Sequence, residues 1–273
     1  LGEHAITYAA ATHIGLRQLN EDSLLVPSAH MYDEHCDHRG RLFAVADGMG
    51  GHGGGDVASR MACQGLGNYY QQRMATKSSL NAQRLRRHLC ETVLRIDRRI
   101  RRRGQLDTAL ADMGTTLSCL VLKHNQTIIA HVGDSRIYRL RRGHFTCLTT
   151  DHTLVQEMVF EGLVTPEKAA VHPLHHLLTN SVGTAESLEW VDSRIDRVYA
   201  GDRFLLCTDG LHNAVAENDM AKVLGNSWKP RRIAAQLITE ALSAGGKDNI
   251  SVIVICLNGS GSSETIARNE GFG

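Results

Sequence analysis

The sequence predicts an α+β fold built in layers, on three observations. Strand-like runs cluster together, helical patterns occupy separate blocks, and the turns within the strand clusters are too short to hold crossover helices. Strict strand-helix alternation, which a doubly wound parallel sheet requires, does not occur, and dinucleotide folds become unlikely candidates. At 273 residues and 42% hydrophobic content, the chain can bury a substantial core in one large domain or two small ones.

Strand patterns dominate the first part. They include the apolar run Leu42-Phe43-Ala44-Val45-Ala46, which breaks at Asp47 into Gly48-Met49-Gly50-Gly51-His52-Gly53-Gly54-Gly55. Leu85, Leu89, Val93, Ile96 and Ile100 then recur at steps of four, four, three and four, which places them on one face of a helix with a basic opposite face. A strand meander follows over residues 116–123, 127–132, 136–140 and 144–148. Its connections, His124-Asn125-Gln126, Gly133-Asp134-Ser135 and Arg141-Arg142-Gly143, imply antiparallel pairing. Residues 151–184 hold two short helix candidates broken around Gly162 and Pro166, and read as an appended lobe able to move. Strands resume over 188–198 and 203–207. Pro230 opens a helix that stops at Gly245-Gly246, and a last strand covers 250–257. Residues 258–273, Gly- and Ser-rich, are expected to be a disordered tail after a single domain over 1–257.

Composition excludes several function classes. Thirty Lys plus Arg against 29 Asp plus Glu leave no global field toward nucleic acid or an anionic membrane. Seven cysteines, odd in number and without a CxxC pair, argue against a disulfide framework or a zinc ribbon. No apolar stretch is long enough to span a bilayer and no signal-peptide pattern opens the chain, so a soluble, cytoplasmic protein is expected. A monomer is the expectation for its oligomeric state, without a motif that carries it. The glycine-rich run lacks both the GxGxxG spacing and a Walker lysine.

The acids carry the chemistry. Asp47, Asp209 and Asp248 each sit at a junction between an apolar strand and glycine-rich or polar backbone, which suggests one metal centre. Hard ions such as Mg²⁺ or Mn²⁺ take carboxylate and carbonyl oxygens, and Gly48 could supply a carbonyl. Phosphoester hydrolysis is the natural use of a two-metal site. Taken alone, each Asp-Gly pair also fits a turn, Asp134 fits a hairpin turn, and Arg17 fits a surface ion pair as well as a phosphate ligand. The His30, His35, Cys36, His38 group reads as a loop, His172, His175 and His176 as polar residues of a surface, and the arginines between 84 and 103 as a solvated helix face.

The motifs RQLNED at 17–22, DGMGGHGGG at 47–55, MGTT at 113–116, GDSRIY at 133–138, LTTDHTLVQE at 148–157, CTDGL at 207–211 and GGKDNISVIV at 245–254 resemble those of bacterial type 2C metal-dependent Ser/Thr protein phosphatases, in the family's order. The resemblance implies a four-layer α/β/β/α sandwich, with two central antiparallel sheets flanked by helices and a flap lobe at about 151–184. It implies Asp47 as the ligand bridging two Mn²⁺ or Mg²⁺ ions, with the Gly48 carbonyl on the second and Asp209 and Asp248 completing the first. Glu21 and Asp22 match acids that hold the second metal or its waters. Asp134 matches an acid that with Asp209 can hold a third, and Arg17 matches the phosphate-binding arginine. Asn249, and His52 in the loop, are assigned supporting places.

The implied reaction is attack on phosphoserine or phosphothreonine by a metal-bridging water, on phosphoproteins of a cognate Ser/Thr kinase. Met49 stands where eukaryotic relatives carry a histidine that can act as leaving-group acid. Asn180 stands where many bacterial relatives carry arginine, so substrate preference is where this chain is expected to differ. Two other readings stand beside this one. A non-catalytic signalling module would be expected to lack a metal acid, and an aspartyl-phosphate enzyme would ordinarily need an Asp where Met49 stands.

Overall fold

A computed structural model describes residues 5–27, 39–50, 54–71, 81–169, 172–184, 187–188 and 190–258. In chain order the strands are β1 (Ala5–His13), β2 (Asp22–Leu25), β3 (Arg41–Met49), β4 (Gly114–Thr115), β5 (Leu117–Lys123), β6 (Gln126–Val132), β7 (Arg136–Arg141), β8 (His144–Cys147), β9 (Asp192–Arg197), β10 (Arg203–Cys207) and β11 (Ile250–Asn258). The helices are α1 (Gly54–Gln71), α2 (Ala82–Leu106), α3 (Leu154–Phe160), α4 (Pro166–Ala169), α5 (Asp209–His212), α6 (Glu217–Gly225) and α7 (Pro230–Ser243). One sheet runs β1-β11-β10-β7-β8 and the other β2-β3-β5-β6-β9, with β4 beside β3; every pairing is antiparallel.

Strand periodicity builds the layers, because alternate residues leave a sheet on opposite faces. Along β3, Phe43 and Val45 enter the core between the sheets, while Leu42, Ala44 and Ala46 meet α1 and α2. Along β11, Ile253, Ile255 and Leu257 enter the same central core, while Ile250, Val252, Val254 and Cys256 meet the side that carries α7. Both sheets are thus apolar on two faces, and the stack is helix, sheet, sheet, helix. The layered α+β expectation holds in its four-layer form.

Particular elements differ from the sequence reading. Gly133-Asp134-Ser135 is no hairpin: β6 pairs with β5 and β9, whereas β7 pairs with β10 and β8, so the connection passes from one sheet to the other. A short polar turn shows that the chain changes direction, not that the flanking strands stay in one sheet. Helices α1 and α6 were not anticipated, although Ala58, Ala62, Leu66 and Tyr69 are buried along α1 at helical spacing. The strand expected from 188 begins at Asp192, and Asn258, placed in the tail, ends β11 opposite Ala5. Residues 259–273, His52, and the His30, His35, Cys36, His38 group lie outside the described residues. Among the described residues, no helix is long and apolar enough to cross a membrane.

Candidate active site

The acids gather where the central core opens at one edge of the sandwich. Asp47 continues the parity of Phe43 and Val45, and Asp22 that of Leu24, so carboxylates stand where that core would otherwise continue. β3 runs through Met49, two residues further than the sequence break suggests, and Asp47 faces Asp22 across the β2–β3 pair. The backbone of Asp47 is held by two threonines. Its N–H donates to Thr116 Oγ1 at 2.9 Å, and its carbonyl accepts from Thr116 N–H and Thr115 Oγ1, both at 2.9 Å. Thr116 Oγ1 in turn contacts Ser135 Oγ at 2.7 Å, beside Asp134 on the sheet-to-sheet connection.

Gly48 and Gly55 are glycines because their backbones touch. A Cβ on Gly48 would lie 2.0 Å from the Gly55 carbonyl oxygen, and one on Gly55 would lie 2.7 Å from Glu21 Oε1. Gly210 is similarly confined: a Cβ there would meet the Asn249 carbonyl oxygen at 2.0 Å. Asn249 locks the loop before β2 onto the start of β11. Its Oδ1 accepts from Glu21 N–H at 2.8 Å, and its Nδ2 donates to the carbonyls of Ile14 and Leu19, each at 2.9 Å.

A cleft of about 1370 Å³ opens over these residues, lined by Arg17, Glu21, Asp47, Gly48, Asp134, Asp209 and Asp248 among others. The fold therefore unites every described acid predicted for the site. Asp22 lies beneath the lining and meets Thr208, whose hydroxyl donates to Asp22 Oδ2 at 2.9 Å. Arg17 Nη2 donates to Asp248 Oδ2 at 2.7 Å, so Arg17 forms the expected ion pair and also lines the cleft. This pair raises the arginine's pKa further, chiefly through the hydrogen bond.

Burial first, and then mutual repulsion, makes these acids hard to ionise. Asp22 is pushed up to about 7 by burial, with Asp209 and Asp248 adding to it. Asp47 is raised well above the usual range by burial and then by Asp22, Asp209, Asp134 and Asp248. Asp134 is raised well by burial and by Asp209 and Asp151. Asp209 is raised by burial and Asp248, against a hydrogen bond from Asp47, and Glu21 by burial, against one from the Gly55 N–H. Among the described residues no three His, Cys, Asp or Glu side chains already converge in ligand geometry. Closer approach would need cationic charge between them. The donor set still fits a hard divalent cation: it is all oxygen, its carboxylates outnumber the Arg17 cation paired with Asp248, and the buried Asp22 Oδ1 has no hydrogen-bond partner among the described residues.

Several supporting residues were not picked out from the sequence. Thr208 serves Asp22, Thr115 and Thr116 hold Asp47, and Asn213 Nδ2 donates to Asp209 Oδ2 at 3.2 Å. His212 lies under Asp134, with Nε2 3.0 Å from its carbonyl oxygen, and burial lowers its pKa to about 3, so it stays neutral. The motifs MGTT and CTDGL contain three of them, but their hydroxyls gain a purpose only from partners distant in sequence. His175 and His176 line the cleft, more than the polar surface expected of them.

Residues 11–253 match the protein phosphatase 2C family. The chain is 37% identical over 214 residues to the serine/threonine phosphatase stp of Listeria monocytogenes serotype 4b, spanning 78% of this chain and 83% of that one. In structure it is similar to the serine/threonine phosphatase of S. agalactiae, with a TM-score of 0.81, 33% identity, and coverage of 93% of this chain and 100% of that one. It is also similar to the catalytic domain of the serine/threonine protein phosphatase PstP in complex with two manganese ions, with a TM-score of 0.76, 33% identity, and coverage of 93% and 99%.

Proposed function

This chain belongs to the protein phosphatase 2C family, and we propose that its acid-floored cleft is where it hydrolyses phosphoserine and phosphothreonine on protein substrates. It is a metal-dependent protein Ser/Thr phosphatase. The observation that carries the site assignment is the convergence of Asp22, Asp47, Asp134, Asp209 and Asp248 from five separate stretches of chain, each near enough to another to shift its ionisation.

In this reading Asp47, Asp209 and Asp248 would hold one Mn²⁺ or Mg²⁺ ion, and Asp47 with the Gly48 carbonyl, Glu21 and Asp22 would hold a second, directly or through water. Asp134 with Asp209 would offer a weaker third position. Bound divalent cations would offset the carboxylate charge, lower the pKa of a shared water, and polarise the phosphoryl oxygens. The chain's own residues do the rest. Asn249 fixes the Glu21 backbone, and Thr115 and Thr116 fix Asp47, so the acids are preorganised rather than gathered by the substrate. Arg17, with Asp248 as its one side-chain partner among the described residues, keeps guanidinium donors for the phosphate oxygens.

Met49 lines the cleft and carries no transferable proton, so the leaving-group alcohol must draw its proton from elsewhere. The flap lobe of 151–184 supplies one wall through residues 175–181 and Thr184, which fits a part in substrate choice. The physiological substrates are phosphoproteins of a cognate Ser/Thr kinase, and the enzyme acts as a monomer, with residues 1–257 as one catalytic domain.

Asp47→Asn should reduce Mn²⁺-dependent hydrolysis of an aryl phosphate by about 10³-fold or more. A wild-type rate in that variant, activity indifferent to excess chelator, or a trapped phosphorylated Asp47 would each overturn the reading.

A further inference from the structure

The exposed face of α2 is the most strongly charged surface that the catalytic reading does not use. Helix α2 carries nine arginines against Glu91 and Asp97, a net charge of +7 in a chain whose net charge is +1. Arg84, Arg87, Glu91, Arg95, Arg98 and Arg102 follow one another at steps of three and four, with Glu91 the one acid in that stripe. The opposite stripe, Leu85, Leu89, Val93, Ile96 and Ile100, is buried in the core. The basic residues thus form a ridge on the order of 27 Å long.

At the start of the helix this charge does not serve it. Arg84, Arg86 and Arg87 lie within the first turns, where the helix dipole disfavours cations and no acid is present. Like charges at steps of three and four repel one another. Among the described residues no acidic partner is recorded for Arg84, Arg87, Arg98 or Arg102, whereas Arg101 and Arg103 form ion pairs with Asp97 and Asp107.

The helix that carries the ridge is joined to the cleft wall through its buried face. Asp97, buried in the same helix, accepts a hydrogen bond from the Gly183 N–H at 2.9 Å, and a Cβ on Gly183 would lie 2.2 Å from Ile100 Cγ2. Ser181 and Thr184, on either side of that contact, line the cleft. We propose that the arginine ridge of α2 docks acidic sequence flanking the phosphorylated residue, so that this phosphatase prefers phosphoproteins with an Asp/Glu-rich stretch near the phosphosite. The proposal rests on the cleft being the phosphatase site. A protein segment is favoured over a nucleic acid or a membrane because the helix that carries the ridge packs against the wall of a cleft that already receives a phosphoprotein.

The test compares kcat/KM for one phosphothreonine peptide with a glutamate run against the same peptide with glutamines, at low and at 0.5 M salt. The wild type should favour the acidic peptide about tenfold at low salt and lose most of that preference at high salt. R87Q/R98Q/R102Q should abolish the preference through KM, with aryl phosphate hydrolysis unchanged, while R87K/R98K/R102K retains it. Equal kcat/KM for the two peptides in wild type, a preference that survives the glutamine variant, or duplex DNA or phosphatidylserine vesicles binding the ridge in place of the peptide would overturn the proposal. Loss of preference with intact aryl phosphate hydrolysis separates docking from catalysis. A wild type inactive on aryl phosphate would sink the catalytic reading, and docking with it.

Discussion

Asp22 and Asp47 face each other across β2 and β3, and the fold tolerates this only because neither is easily ionised. Asp22 titrates near 7 when folded, against an ordinary 3.8. Below the ordinary value both folded and unfolded chains are protonated there, and the residue has no effect on stability. Between about 4 and 7 the unfolded chain ionises while the folded one holds its proton, so stability falls as pH rises. Above 7 the full cost remains, up to about 4 kcal/mol. In chelator-treated protein, the difference in urea midpoint between wild type and Asp22→Asn should therefore widen from pH 4 to pH 7, with the variant more stable. Manganese at pH 7 should stabilise the wild type more than the variant. A pH-independent difference would remove Asp22 from this account.

At the scale of elements, the site depends on how closely β3, α1 and the loop before β2 can approach. Gly48 N–H donates to the Glu21 carbonyl at 3.1 Å, and the Gly55 backbone occupies the space a side chain on residue 48 would need. Gly48→Ala should force α1 away from β3, at a cost of about 3 kcal/mol. Aryl phosphate hydrolysis should also fall, because Glu21 and the carbonyl of residue 48 would move together. Chemical denaturation and the hydrolysis rate check the two parts separately, and unchanged stability would mean the contact is looser than it stands here. The helices and strands themselves were largely legible. The stripe at Leu85, Leu89, Val93, Ile96 and Ile100 and the continuous apolar runs of β10 and β11 are local patterns, and a local pattern is what a sequence window reads. Helix α1 was hidden by the glycines at its start, which mark a close approach rather than a loop.

For the whole molecule, the central core between the sheets holds the acid rim in place. Phe204 is buried there with Phe43, Leu120 and Ile253, and its strand leads directly into Thr208 and Asp209. Phe204→Ala should cost about 3–5 kcal/mol by leaving a cavity, read as a lower urea midpoint. Its kcat should stay near wild type well below that midpoint, since no group facing the cleft changes. A kcat that fell in proportion to stability would show that the rim is shaped by the core more directly than its hydrogen bonds indicate.

The sequence by itself determined which carboxylates are candidates for a metal site. Carboxylates beside glycines at the ends of apolar runs carry their chemistry and their strand context within a few neighbours, and the ordered motifs named the family. Only the tertiary structure decided what each one meets. Asp134 belongs to the site because β6 and β7 lie in different sheets, not because it turns a hairpin. Arg17 reaches Asp248 across 231 residues, Asn249 fixes Glu21 across 228, and Asp97 joins the flap at Gly183 across 86. These contacts arise from strand register and layer packing, which depend on the free energy of the whole core and leave no periodic mark on the local sequence.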